Sequence, residues 1–174
     1  KYSFNIKKID NLKKFKSFRI FGMGGSILGS EAIYSFLKKK VKRKFFFIDN
    51  INPQRKFKND KKLFNIIISK SGNTLETVAN INYSKLKKNC IFITENKDSY
   101  LKNLAQKLKS EIVDHNNFIG GRYSVLSETG MLPAYLMGLD PKKFKRIDYL
   151  IKDKNFQNQL VNNVSSILDF HNKK

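Results

Sequence analysis

The chain has 174 residues, 40% hydrophobic and 13% aromatic, which suits one domain with a buried core and excludes an intrinsically disordered segment. Its 35 basic residues stand against 14 acidic ones, a net charge of +21, but the lysines are scattered through nearly every polar stretch and only Arg19, Arg43, Arg55, Arg122 and Arg146 accompany them. That excess reads as the compositional bias of a sequence rich in Lys, Asn, Ile and Phe and not as a nucleic-acid surface, while no apolar run approaches the roughly 18 residues of a membrane span.

Residues 1–17 read as a helical lead-in, and the start at Lys1 reads as that of a partial chain. Apolar runs and helical patterns then alternate. Strands are expected at 18–21, 44–48, 63–68, 90–94 and 111–113, and helices at 27–40, 74–88, 99–108 and 124–137. Repeated strand–helix alternation with apolar strands argues a mostly parallel sheet buried on both faces. The predicted fold is therefore a three-layer αβα domain over residues 18–140, with a five-stranded, flavodoxin-like sheet that takes its ligands beyond the carboxyl ends of the strands. Residues 50–60, with Pro53, read as a loop. Asp140-Pro141 is a helix start, cap then proline, and 141–174 reads as a helical, polar extension. The single Cys90 can form no internal disulfide and no cysteine metal site, which points to a reducing interior.

Three turns carry the chemistry. Gly22-Met23-Gly24-Gly25-Ser26 follows the first strand, where glycines let a ligand approach the backbone and Ser26 can donate a hydroxyl. Its spacing is not G-x-G-x-x-G, although Gly29 and Asp49 keep a dinucleotide site open. Ser69-Lys70-Ser71-Gly72-Asn73-Thr74 follows the isoleucine-rich third strand and opens a helix; hydroxyls, free backbone N–H groups and the helix dipole suit a single anion such as phosphate. Asn73 and Glu76 also have the spacing of a capping box, which would explain both without a ligand. Gly120-Gly121-Arg122-Tyr123-Ser124 places a guanidinium beside accessible amides, as an oxyanion or enediolate requires.

In that order and at comparable spacing, the three turns resemble signatures of the glucose-6-phosphate isomerase family. The first two alone indicate the wider sugar isomerase (SIS) domain superfamily. The third is more specific, continuing Val125-Leu126-Ser127-Glu128-Thr129-Gly130-Met131-Leu132-Pro133. The resemblance implies reversible interconversion of glucose 6-phosphate and fructose 6-phosphate through an enediol(ate), a step of glycolysis and gluconeogenesis, with no cofactor and no metal. It implies a phosphate-binding set of Gly25, Ser26, Ser69, Lys70, Ser71, Gly72, Asn73 and Thr74, in which Ser26, Ser69, Ser71 and Thr74 hold the phosphate and Lys70 and Gly72 shape the loop. Gly121 and Arg122 would lie at the reacting carbons, with Arg122 stabilising the enediolate.

The family's base glutamate, ring-opening histidine and late lysine belong to segments downstream of the arginine motif, and nothing after Arg122 resembles them. Glu128 reads as a solvated or packed helix position, and His115 and His171 as surface histidines. The expected protein is thus the first SIS domain of a cytoplasmic isomerase, homodimeric when complete, binding neither nucleic acid nor membrane and inactive as this piece alone. The alternative is a non-catalytic sugar-phosphate-binding regulatory module of the same superfamily.

Overall fold

The computed structural model describes residues 2–52, 54–57 and 60–172; Pro53 of the expected loop lies outside them. The chain divides into two compact units, one ending at Leu139 and the other starting at Asp140.

The first unit is built on five strands, β1 (Ser17–Phe21), β2 (Lys44–Ile48), β3 (Leu63–Ile68), β4 (Cys90–Thr94) and β5 (Glu111–Asp114). They pair in the order β2-β1-β3-β4-β5, and every pairing is parallel. Five helices accompany them: α1 (Ile6–Asp10), α2 (Leu28–Leu37), α3 (Leu75–Ser84), α4 (Tyr100–Lys107) and α5 (Glu128–Leu136). All six residues of β3 and all five of β4 are buried, as central strands covered on both faces must be.

The period-2 alternation of the strands sorts the core into two layers. One face carries Phe18, Ile20, Phe45, Ile66, Ile68 and Ile93, which pack with Ile9 of α1, Ile27 just before α2, and Leu132 and Leu136 of α5. The other carries Phe21, Ile48, Ile67 and Phe92, packed with Ile81 of α3 and with Leu101 and Ala105 of α4. Phe4 and Phe15 are buried in the first layer, so the N-terminal lead-in belongs to the core of this unit. From β1 the chain winds one way, through α2 to β2. From β3 it winds the other way, through α3 and α4, so the carboxyl ends of β1 and β3 flank the topological switch point.

The second unit holds a 3-10 segment, Pro141–Ile147, then α6 (Asp148–Lys152) and α7 (Lys154–Asn172). Its start follows the sequence: Asp140 Oδ1 accepts the Lys142 N–H at 3.0 Å. The extension is less polar in pattern than expected, because Leu160, Val164, Ile167 and Leu168 form an exposed apolar stripe along α7. Among the described residues, no helix is long and apolar enough to cross a membrane.

Candidate functional site

The turns after β1 and β3 emerge side by side at the switch point. Gly22 closes β1, and a Cβ there would sit 3.2 Å from the Ile68 carbonyl oxygen at the end of β3. Gly24, at φ +54°, starts the 3-10 turn Gly24–Ser26 that leads into α2. Ser26 is half-buried, and its hydroxyl makes no hydrogen bond with a described residue.

The turn after β3 is held by its own hydroxyls. Ser69 is buried; its Oγ lies 2.8 Å from Thr74 Oγ1 and accepts the Gly72 N–H at 3.2 Å. Ser71 is exposed and accepts the Asn73 N–H at 3.2 Å. Gly72, at φ +70°, passes so close to α4 that a Cβ would be 2.6 Å from Ser99 Cβ and 3.0 Å from Thr94 Oγ1, so only glycine fits the loop in this form.

The capping-box reading of Asn73 and Glu76 is corrected. Asn73 Oδ1 accepts the Tyr100 N–H at 2.8 Å and so serves the start of α4, beside Ser99, which accepts the Lys102 N–H. Thr74 occupies the N-cap of α3 and makes no side-chain cap bond. Tertiary contact has moved the cap residue to the neighbouring helix. The first-turn amides of α3 are left for an external acceptor, beside the exposed Ser71.

The arginine motif is a 3-10 helix, Gly121–Leu126, laid over the first turn. A Cβ on Gly25 would strike the Gly121 carbonyl and come within 3.0 Å of Arg122 N. The buried Ser124 Oγ donates to both Gly121 O, at 2.7 Å, and Gly25 O, at 3.2 Å. Sequence reasoning gave Ser124 no role, and its spacing from Gly121 was the available signal. Arg122 is exposed and makes no ion pair or hydrogen bond with a described residue.

Among acid–base candidates, Glu128 is buried at the start of α5, and its Oε1 accepts the Ser3 N–H at 2.8 Å. It is a packed helix position that tethers the N-terminal segment. His171 is exposed on α7. His115 is not a surface histidine: it is 1% exposed, because its N–H extends the β4–β5 pairing to Thr94 O and draws the ring inward. Its Nδ1 contacts Asn116 O at 3.0 Å, and its Nε2 is buried with no hydrogen-bond partner among the described residues. Cys90 is buried beside Ser110, and burial pushes its thiol pKa up.

A cavity of about 770 Å³ lies apart from these turns, lined by Arg19, Phe46, Arg55 and Phe57 over β1 and β2. Burial, then the Arg55 charge, pushes the Arg19 pKa below its ordinary value. Its wall is aromatic and basic, with Ser17 as its one lining hydroxyl among the described residues. The turns at the switch point form an open shelf of hydroxyls and amides.

A parallel sheet wound both ways from the point between β1 and β3, with hydroxyl- and glycine-rich turns there, defines a doubly wound α/β protein. The model of the phosphoglucose isomerase family matches residues 8–167, and the chain belongs to that family. It is 35% identical to a glucose-6-phosphate isomerase of Methanocaldococcus jannaschii over 157 residues, 82% of this chain and 38% of that one. It is 40% identical to one of Borreliella burgdorferi over 151 residues, 75% of this chain and 28% of that one. The chain therefore spans well under half the length of the curated relatives it matches. Among solved structures, a hypothetical protein from Thermus thermophilus superposes with a TM-score of 0.67 at 23% identity, over 78% of this chain and 37% of its own. A glucose-6-phosphate isomerase from Chlamydia trachomatis superposes with 0.60 at 24% identity, over 75% and 28%. Those two likenesses are of fold.

Proposed function

We propose that the chain carries the substrate-phosphate grip and the enediolate-stabilising arginine of a glucose-6-phosphate isomerase, which interconverts glucose 6-phosphate and fructose 6-phosphate. The observation that carries this reading is the contact of Gly25 with Gly121, which seats the arginine segment on the first of two anion-type turns at one sheet edge. The Ser26 and Ser71 hydroxyls and the open amides of α3 take the phosphate, while Ser69, Gly72 and Thr74 hold the loop in shape. Asn73 locks the loop to α4, and Lys70 ties it to the loop after β5.

Arg122, a permanent cation, faces the charge that develops as a proton moves between C1 and C2. We assign the base that moves it to none of the carboxylates at these turns: Glu128 is engaged with Ser3, Glu95 is paired with Lys70 and Lys97, and Glu76 lies in the first turn of α3. The complete protein works as a homodimer in the cytoplasm, and this piece alone binds sugar phosphate without turning it over.

An isomerase assay tests the reading. The complete polypeptide should interconvert the two sugar phosphates, and Arg122→Met should lower kcat by about 10²–10³-fold, the usual cost of removing a transition-state donor. Turnover by the 174-residue chain at a rate comparable to the complete polypeptide would overturn the reading of this piece as inactive alone.

A further inference from the structure

We propose that Lys70 is a positioning residue, a strut that sets the arginine segment relative to the phosphate turn, and not itself a ligand of the phosphate. The proposal rests on the functional reading above, since it concerns how that site is held together. Lys70 stands at the head of the 69–74 turn, yet its ammonium points sideways. Nζ donates to the Asn117 carbonyl at 2.7 Å, across 47 residues of sequence, and pairs with Glu95 Oε1 at 3.5 Å. Glu95 is itself fixed, with Lys97 Nζ 2.6 Å from its other oxygen. The backbone of Lys70 is tied as well: its carbonyl accepts the Glu95 N–H at 3.1 Å and the Thr94 hydroxyl at 3.4 Å. Both ends of the residue are thereby engaged at the carboxyl ends of β4 and β5.

The loop that Lys70 reaches has few other anchors. It leaves β5 at His115, turns on Asn116, whose carbonyl and Oδ1 accept the Ile119 and Phe118 N–H groups, and delivers Gly120, Gly121 and Arg122. Asn116 and Asn117 are exposed, Phe118 is 92% exposed, and Ile119 is half-buried, so the tip at 116–118 has no buried apolar side chain of its own. Between the buried His115 and the half-buried Ile119, the Lys70 bond to Asn117 O ties the exposed tip to the phosphate turn. A charge-assisted bond to a carbonyl is short and directional, which suits a strut. A lysine held by a carbonyl and a carboxylate contributes only its field to a phosphate on the other side of the turn. The same pair of loops must close on the two ends of one substrate, so their separation matters to the chemistry.

The test uses this chain, with inorganic phosphate as the probe and backbone-amide NMR as the readout, on the wild type, Lys70→Met, Lys70→Arg and Glu95→Gln. Lys70→Met should move the amide resonances of Gly120, Gly121 and Arg122 while the phosphate Kd changes by less than about threefold. Lys70→Arg should restore most of the shifts. Glu95→Gln should move the same three amides by a smaller amount, and it reads the link from the far side should Lys70→Met fail to fold. A tenfold or greater loss of phosphate affinity in Lys70→Met with the three amides unmoved would make Lys70 a ligand and overturn the proposal. A wild type that binds no phosphate would overturn the functional reading instead, and the amide shifts would still decide the strut.

Discussion

Adding one methyl group on either side of the Gly25–Gly121 contact should give opposite results. In Gly25→Ala the new methyl meets the Gly121 carbonyl and lies 3.0 Å from Arg122 N. Both obstacles are backbone atoms, so no side-chain rotation relieves them. The two segments must part by on the order of 1 Å to restore an ordinary C···O contact of about 3.3 Å. Overpacking of this kind costs about 1–3 kcal/mol, and the loss of unfolded-state freedom returns about 0.4–1 kcal/mol. The net destabilisation is about 1–2 kcal/mol. In Gly121→Ala the methyl meets nothing within 4 Å, and the residue has no positive φ, so only the unfolded-state effect remains. That variant should be neutral or stabilised by about 0.4–1 kcal/mol. Urea unfolding followed by circular dichroism decides between them. With m near about 2 kcal/mol/M, the Gly25→Ala midpoint should fall by about 0.5–1 M at unchanged m, while the Gly121→Ala midpoint should hold or rise. Equal midpoints for the two variants would refute the close approach on which the site is built.

Three further outcomes follow from the same geometry. Ser69→Ala should destabilise the chain by about 1–3 kcal/mol, since it strands the partners of a buried hydroxyl, whereas Ser71→Ala should leave stability within about 0.5 kcal/mol and weaken phosphate binding; reversed effects in urea unfolding and phosphate titration would contradict the division of roles. The Lys97 hydrogen bond, assisted by the Lys97 and Lys70 charges and opposed by burial, holds the Glu95 carboxyl below its ordinary value of 4.5. Its contribution to stability is therefore complete above that value and lost as pH falls through the lower folded value, so the stability gap between the wild type and Glu95→Gln should narrow on acidification in that window; a gap independent of pH would contradict it. Glu128→Ala should free the N-terminal segment, seen as faster hydrogen exchange at the Ser3 amide, at a cost of about 1–3 kcal/mol; unchanged exchange would remove Glu128 from its tethering role.

Most of the fold was legible because the strands are short isoleucine- and phenylalanine-rich runs between polar helical patterns. Strand β2 and strands β3 and β4 have the expected bounds, and β1 and β5 differ by one residue at an end. The last expected helix began in the wrong conformation: residues 121–126 form a 3-10 segment pressed onto Gly25 before α5 starts at Glu128. Strand order was not readable, since each pairing joins segments far apart in sequence.

Local motifs placed the hydroxyl and glycine turns at strand ends, but not which side chains are spent internally. Asn73 had the spacing of a cap for its own helix and became one for α4. Lys70 was one base among 35, and only the fold shows it reaching Asn117. His115 sits among polar neighbours in sequence, and strand pairing buried it. Each of these depends on an approach between loops that no local pattern encodes.

The central claim, a sugar-phosphate grip at the switch point of the sheet, is tested most directly by titrating the labelled chain with fructose 6-phosphate and following its amide resonances. The account predicts shifts confined to Gly24, Gly25 and Ser26, to the turn and first helical residues at 69–77, and to Gly121 and Arg122. Shifts centred on Arg19, Phe46 and Arg55, at the cavity over β1 and β2, or no shifts at all, would contradict it.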